Sequence, residues 1–157
     1  MSIPWPQGQT EIVSTEPLVI KNPKSWPHFH TYGRWGKFFL GLQREKLLAT
    51  RCPNSGCVEN RLWLPPRGEC PDCWHDMEWV EAPQQGTIYT WSTILYPGEL
   101  FRLPPKTPLI SVELDGVCTK LMSYLKEGEP DIGMPVKAVF NTKNPTHTIL
   151  DLAWVPA

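Results

Sequence analysis

The spacing of apolar residues changes along the chain, and the first clear pattern is helical. Four apolar residues recur at offsets of three, four and seven, which places them on one face of a helix. The four are Trp35, Phe38, Phe39 and Leu42. We therefore predict an amphipathic helix at about 31–45. Gly36 and Gly41 each weaken such a helix by up to about 1 kcal/mol relative to alanine, so packing must stabilise it. The apolar face packs either on the chain's own core or on another protein.

The C-terminal half has a different pattern. After Gly86, short runs of β-branched and aromatic residues alternate with turn dipeptides such as Pro97-Gly98 and Asp115-Gly116. The runs predict strands at 86–96, 109–114, 117–125, 135–140 and 148–155. Five strands are enough for a small closed or nearly closed barrel, which we place at residues 83–157.

The N-terminal segment, residues 1–30, contains five prolines and shows neither helical nor strand periodicity over a useful length. We predict an extended arm. It carries Trp5, Trp26 and Phe29, which a disordered tail would rarely contain. We therefore expect the arm to lie against its own domain or a partner.

Composition narrows the class of protein. Proline makes up 18 of 157 residues, about 11% against an average near 5%, and there are eight tryptophans. Because proline lacks the N–H that helix interiors need, this composition favours a mainly β fold over a helical bundle. The 15 basic and 16 acidic residues give a net charge of −1, and no basic face for a phosphate backbone stands out. The chain has neither an apolar run of membrane-spanning length nor a secretory leader, so we expect a cytoplasmic protein with no membrane partner.

The strongest chemical signal lies between the helix and the barrel, at residues 46–82. Cys52-x4-Cys57 and Cys70-x2-Cys73 form two pairs that are twelve residues apart. Two tight turns, each with two thiolates, can form a tetrahedral four-sulfur site, for which structural zinc is the first candidate. Rubredoxin-type iron remains an alternative, as do disulfides or free thiols, although nothing marks the chain as secreted. Four thiolates leave no open coordination position, so the zinc would not take part in catalysis.

No catalytic residue is predicted. Cys118 lies on a predicted strand with Lys120 on the same face, but a nucleophilic cysteine needs stronger activation, and we expect a buried or half-buried packing residue. His75 lies two residues from Cys73 and is an alternative metal ligand. No Ser/His/Asp order, glycine-rich phosphate loop or carboxylate pair stands out.

Several motifs, in order, resemble the acyl-CoA-associated zinc-ribbon/OB-fold proteins over about residues 34–155. The motifs are Phe38-Phe39-x-Gly41-Leu42, Leu47-Leu48-x-x-Arg51-Cys52, Leu64-Pro65-Pro66-Arg67, Cys70-Pro71-x-Cys73, Glu78-Trp79-Val80-Glu81, Gly86-Thr87-Ile88-Tyr89-Thr90 and Ile132-Gly133-Met134-Pro135-Val136. The chain departs from the family pattern twice. Its first cysteine pair encloses four residues instead of two, and Trp74 stands where a glycine commonly follows the last cysteine.

The resemblance implies a mainly β chain with an N-terminal helical segment, a rubredoxin-like zinc ribbon and a C-terminal OB-like five-stranded barrel. The metal ligands carry over to Cys52, Cys57, Cys70 and Cys73. Family members are small accessory subunits of thiolase-like enzymes, whose large subunit holds the catalytic cysteine. The chain is thus expected to be non-catalytic alone and to dock on a thiolase-like subunit that cleaves a β-ketoacyl-CoA. Within the family, overall similarity points to subunits that serve benzoylsuccinyl-CoA cleavage in anaerobic toluene degradation.

If the chain helps to bind acyl-CoA, it needs cations for the phosphates and a flat surface for adenine. The candidates are Arg67, Arg102, Lys106 and Lys120 for the phosphates, and Tyr89 and Trp91 for adenine. Each has a simpler interpretation, because the two aromatic residues share a strand face and suit the barrel core, and the cations suit solvated surface. The alternative function is single-stranded nucleic-acid binding, which both modules support and the net charge disfavours.

Overall fold

In the computed structural model, the chain forms two compact units, Met1–Thr31 and Tyr32–Ala157. The described residues are 3, 10–22, 27–29, 32–57, 61–98 and 103–157. No helix among them combines the length and apolar character needed to cross a bilayer.

The N-terminal unit contains a β-hairpin. Strands β1 (Glu11–Thr15) and β2 (Leu18–Lys21) pair antiparallel, and the Lys21 amine lies 3.3 Å from the Glu11 carboxylate. The stretch that we predicted as an extended arm therefore contains two strands that its sequence pattern did not indicate. Its β-branched residues favour extended backbone, but each run is too short for periodicity to reveal it. Of the three aromatic residues noted in the arm, Phe29 is exposed, and the other two, Trp5 and Trp26, lie outside the described residues.

The helix of the second unit is shorter than the predicted 31–45. A 3-10 turn (Gly33–Trp35) leads into α1 (Gly36–Leu42). Tyr32 before it and Glu45 after it have φ angles of 55° and 57°. These left-handed conformations lie outside the helical region, so they limit the helix at both ends.

The apolar face of α1 packs on the chain's own core. Phe38 and Leu42 are buried in that core, and Phe39 packs against it. Trp35, the first residue of the predicted apolar face, is 36% exposed. The structure therefore favours the first of the two interpretations of this face.

The cysteine-bearing segment contains a three-stranded antiparallel sheet in the order β4-β3-β5. Its strands are β3 (Leu48–Arg51), β4 (Leu62–Trp63) and β5 (Glu78–Glu81). Strand β5 was not predicted, because its two apolar residues, Trp79 and Val80, are adjacent and show no alternation. Its pairing with β3 joins the two ends of the segment, and this places the two cysteine turns at one end of the sheet.

The C-terminal strands form a closed five-stranded barrel, as predicted. They are β6 (Gln85–Ile94), β7 (Thr107–Leu114), β8 (Leu121–Leu125), β9 (Pro135–Phe140) and β10 (Leu152–Pro156). The strand order is β10-β8-β7-β6-β9, and β9 pairs with β10 to close the barrel. The β8–β10 pair is parallel, and the other pairs are antiparallel. This is an OB-like barrel.

Two strand boundaries of the barrel differ from the predictions. The predicted strand 117–125 begins only at Leu121, because the preceding residues form the connection from β7. The predicted strand 148–155 begins at Leu152, after a 3-10 turn at Ile149–Asp151. Apolar residues in both stretches face the core without forming a regular strand, so pattern alone extended the strands too far.

The helix α1, the cysteine-bearing sheet and the barrel share one hydrophobic core. It includes Leu42 of α1, Leu64 after β4 and Trp154 of β10, each no more than 1% exposed. Gly86, at the start of β6, allows the barrel strands to approach closely, because a Cβ there would lie 2.3 Å from the backbone oxygen of Glu113. The cysteine turns are thus attached to a single rigid framework.

Candidate metal centre and ligand surfaces

The four cysteines of the two predicted pairs meet at one point. The sulfur atoms of Cys52, Cys57, Cys70 and Cys73 all lie within 4.8 Å of one another. Cys52 and Cys73 sulfurs are 3.4 Å apart, and Cys57 and Cys70 sulfurs are 3.7 Å apart. A tetrahedral zinc with Zn–S bonds of about 2.3 Å needs sulfurs roughly 3.8 Å apart, so this cluster fits the ion. The separations are far longer than a disulfide bond of about 2.05 Å, and all four are free thiols.

The first cysteine turn is closed by Asn54. Its side-chain oxygen accepts a hydrogen bond from the Gly56 N–H at 3.0 Å, and its backbone oxygen accepts one from the Cys57 N–H at 3.0 Å. These bonds compact the four-residue spacer between Cys52 and Cys57. The wider spacing therefore still brings both sulfurs to the cluster.

The second cysteine turn contains a strained residue, Trp74. Its N–H donates to the Cys70 carbonyl at 2.9 Å, and the Cys70 N–H donates to the His75 carbonyl at 2.9 Å. This closure requires the backbone of Trp74 to adopt φ 62°, a left-handed conformation that glycine adopts without strain. The geometry explains why a glycine suits this position. The Trp74 side chain is 77% exposed.

Burial and hydrogen bonding shift the pKa values of two thiols in the cluster in opposite directions. Burial raises the pKa of Cys52 to about 12. The backbone N–H of His75 and then the Asn54 side chain lower the pKa of Cys73 to about 6. Hydrogen bonding to Cys73 also raises the pKa of His75. His75 itself is not part of the sulfur cluster, and its Nδ1 lies 3.2 Å from the Cys73 carbonyl oxygen.

Cys118 is a half-buried packing residue, as expected, but it does not lie on a strand. It belongs to the connection between β7 and β8. Burial raises the pKa of its thiol, against the smaller opposing effect of Arg61 and Arg67. Lys120 does not activate it from a shared strand face, because the Lys120 amine instead bonds to Glu113.

Two of the proposed CoA contacts, Tyr89 and Lys120, lie together on the barrel. The Lys120 amine is 4.9 Å from the centre of the Tyr89 ring. Tyr89 and Trp91 are 56% and 43% exposed, so the interpretation of both as barrel core is wrong. The buried residue at this point of β6 is Ile88, so Tyr89, its neighbour on the opposite face, points away from the core.

The other proposed contacts are dispersed. The Arg67 guanidinium lies 4.6 Å from the centre of the Trp63 ring. Lys106 is exposed in the turn before β7, where its N–H donates to the Ile94 carbonyl at 2.7 Å. Arg102 lies outside the described residues. Among the described candidates, Tyr89 and Lys120 are thus in direct contact, and Arg67 lines a cavity together with Thr119, the residue before Lys120.

A feature that sequence reasoning missed is a cavity of about 490 Å³ beside the second cysteine turn. Three tryptophans line it, namely Trp35, Trp63 and Trp74, together with Arg67. They come from the turn before α1, from β4 and from the metal-binding segment. Periodicity within one helix or strand cannot show that residues from separate segments meet. The one sequence signal for this cavity was Trp74, which stands where the family pattern has a glycine.

The fold and the cysteine cluster together define a protein of the zinc-ribbon and OB-barrel class. Comparison with known proteins supports this: residues 79–141 match the family described as ChsH2, C-terminal OB-fold domain. This segment runs from β5 to the end of β9. The match confirms the OB-fold part of the resemblance that the ordered motifs indicate.

Two solved structures are similar to the chain over most of its length. One is described as an Ltp2-ChsH2(DUF35) aldolase, with 26% identity, a TM-score of 0.62 and coverage of 83% of this chain and 98% of that chain. The other is a DUF35-family protein of unknown function from Sulfolobus solfataricus, with 21% identity and a TM-score of 0.57. It covers 82% of this chain and 90% of its own, and it supports the fold alone. No curated protein sequence matches the chain.

Proposed function

We propose that the chain is a non-catalytic accessory subunit of a thiolase-type acyl-CoA enzyme. It docks on a catalytic subunit that supplies the nucleophilic cysteine for thiolytic cleavage of a β-ketoacyl-CoA. The observation that carries this proposal is the similarity to a solved structure whose description names two components, Ltp2 and ChsH2. The similarity covers 98% of that structure's chain. The ChsH2-type barrel at residues 79–141 supports the same interpretation.

In this proposal the four-sulfur cluster holds a structural zinc ion. The sulfur separations suit a tetrahedral ion, and four thiolates would leave no position for water or substrate. The ion supplies no step of the reaction. It holds the two cysteine turns in place, and through them the exposed side chains that the turns present to a partner or ligand.

The chain also helps to bind CoA or acyl-CoA in this proposal, at or near the interface with the catalytic subunit. Arg67 is the favoured contact for an anionic group, because its guanidinium has no carboxylate partner among the described residues. Lys120 is a weaker candidate, because Glu113 already neutralises its charge. Benzoylsuccinyl-CoA is the proposed substrate of the complex, on the strength of overall similarity within the family. Five free thiols suit the reducing cytoplasm, where we place the protein.

The proposal is tested by purifying the protein gently from its native cells and identifying co-purifying proteins by mass spectrometry. We expect a thiolase-like subunit in a fixed ratio. Thiolysis of β-ketoacyl-CoA substrates is then measured with each subunit alone and with the reconstituted pair, and only the pair should be fully active. Recovery of the protein alone, together with tight and salt-sensitive binding of a single-stranded oligonucleotide, would instead favour the nucleic-acid alternative.

A further inference from the structure

The tryptophan cavity beside the second cysteine turn has the features of a small-molecule site. Its volume of about 490 Å³ lies within the range of about 300–1,000 Å³ that is typical of ligand pockets. Aromatic and proline residues form most of its walls, and these side chains are rigid. The lining residues used below are Trp63, Trp74, Pro65, Pro66 and Arg67. Cys70, one of the four clustered cysteines, also lines the cavity, so the cavity adjoins the sulfur cluster.

Trp74 is the first reason to expect a ligand. Its φ of 62° costs about 1–2 kcal/mol for a residue with a side chain, whereas glycine would adopt this conformation freely. Its indole is also 77% exposed, so a large apolar ring faces water. A residue that is unfavourable both for the backbone and for solvation is typical of a functional surface.

Arg67 is the second reason, and it defines the charge of the ligand. Its backbone N–H donates to the Thr50 hydroxyl at 2.8 Å, and its guanidinium lies 4.6 Å from the Trp63 ring centre. The guanidinium forms no ion pair with any acidic residue among those described. The nearby carboxylates of Glu69 and Asp76 lie 4.0 Å and 2.7 Å from the Arg34 guanidinium instead. Arg67 therefore offers N–H donors to an anion at the cavity wall.

We propose that this cavity binds a planar aromatic ring that carries an anionic group. The ring stacks on the Trp74 indole, and the anion bonds to the Arg67 guanidinium. The identity of the ligand rests on the proposed function, because an aromatic acyl-CoA contains two groups that combine a planar ring with an anion. These are the phosphorylated adenosine end of CoA and an aromatic acyl group with a free carboxylate.

The proposal is tested with the full-length, metal-loaded protein by tryptophan fluorescence and calorimetric titration. The two probes are 3′-phosphoadenosine 5′-phosphate and benzoate, which distinguish the two sources. Adenosine and inorganic phosphate, each added alone, separate the stacking from the ionic contribution. We expect saturable binding of at least one probe, and weaker binding of each isolated fragment.

Two variants and two matched controls make the test specific. Trp74→Gly removes the ring while relieving the strained backbone, so it should keep the metal content and thermal stability yet weaken binding by about tenfold or more. Arg67→Ala should weaken binding of 3′-phosphoadenosine 5′-phosphate until its affinity approaches that of adenosine alone. Tyr96→Ala and Arg44→Ala change an exposed aromatic residue and an exposed cation outside the cavity, and both should bind like the wild type.

The proposal is overturned if neither probe binds saturably to the wild type, or if Trp74→Gly or Arg67→Ala binds as tightly as the wild type. This failure can be separated from a failure of the proposed function. Capture of a thiolase-like subunit without probe binding would reject the cavity ligand and leave the accessory role intact. Probe binding without a thiolase-like partner would support the cavity ligand and reject that role.

Discussion

The backbone N–H of Cys118 donates a 3.0 Å hydrogen bond to the carbonyl oxygen of Leu62. The Leu62 N–H in turn donates to the Gly116 carbonyl at 3.1 Å, so Leu62 and Val117 form a short parallel bridge. These bonds join β4 of the cysteine-bearing sheet to the β7–β8 connection of the barrel. The cysteine-bearing segment is therefore hydrogen-bonded to the barrel through β4.

Metal removal should unfold the cysteine-bearing segment before the barrel. We expect about one zinc ion per chain, and we expect chelation or Cys57→Ser to release it and to raise amide hydrogen exchange in residues 48–80. The barrel strands, which have their own closed hydrogen-bond network, should retain most of their protection. Metal analysis and hydrogen-exchange mass spectrometry provide the measurement.

Cys118→Ser is the control for this experiment and should keep its metal, because Cys118 is not part of the sulfur cluster. Unchanged exchange in residues 48–80 after complete metal loss would contradict the structural role. A coloured protein would instead indicate iron.

Thr119 should stabilise the contact between the cysteine-bearing sheet and the barrel. Its hydroxyl donates a hydrogen bond to the carbonyl oxygen of Leu64, a buried core residue. Thr119→Val keeps the shape and removes the donor, so it should lower the free energy of unfolding by about 1 kcal/mol. Denaturant unfolding measures the change. Thr142→Val, at an exposed position, should have little effect, and equal effects of the two variants would argue against the bond.

Asp151 should be far more sensitive to substitution than a surface carboxylate. It is 2% exposed, and its oxygens accept bonds from the Thr146 N–H at 2.7 Å, the His147 N–H at 2.7 Å and the Asn141 amide at 3.2 Å. Asp151→Asn can keep one oxygen for the Thr146 and Asn141 donors, but it places its NH₂ donor against the His147 N–H. It should therefore cost about 1–3 kcal/mol. Urea unfolding tests this, with the exposed Glu127→Gln as control. A loss below the control's experimental error would show that the donors find other acceptors.

Cys118 should react slowly with alkylating reagents at neutral pH. Burial raises the pKa of its thiol, so the reactive thiolate forms only at a higher pH than for an ordinary cysteine. We expect the rate of iodoacetamide labelling of the native protein to be low at pH 7 and still rising above pH 9. Peptide mapping by mass spectrometry identifies the labelled site. Labelling at pH 7 as fast as in the denatured chain would contradict the buried environment.

Local sequence was sufficient wherever the chemistry or pairing is local. The two cysteine spacings predict the four-sulfur cluster because a tight turn brings its own two thiolates together, whatever surrounds it. The five barrel strands are also recognisable, because each is a run of strand-forming residues bounded by turns. The order of the motifs was enough to indicate the zinc-ribbon and OB-barrel class.

Tertiary structure decided which side chains are exposed and which meet. Ile88 of β6 is buried whereas Tyr89 and Trp91 are exposed, and the sequence of one strand does not show which of its two faces the rest of the barrel covers. The tryptophan cavity depends on three segments that converge only when the helix, the cysteine-bearing sheet and the barrel share a core. Residue spacing along the chain thus determined the sulfur cluster and the barrel strands, whereas packing between distant segments determined the surface available to a ligand or partner.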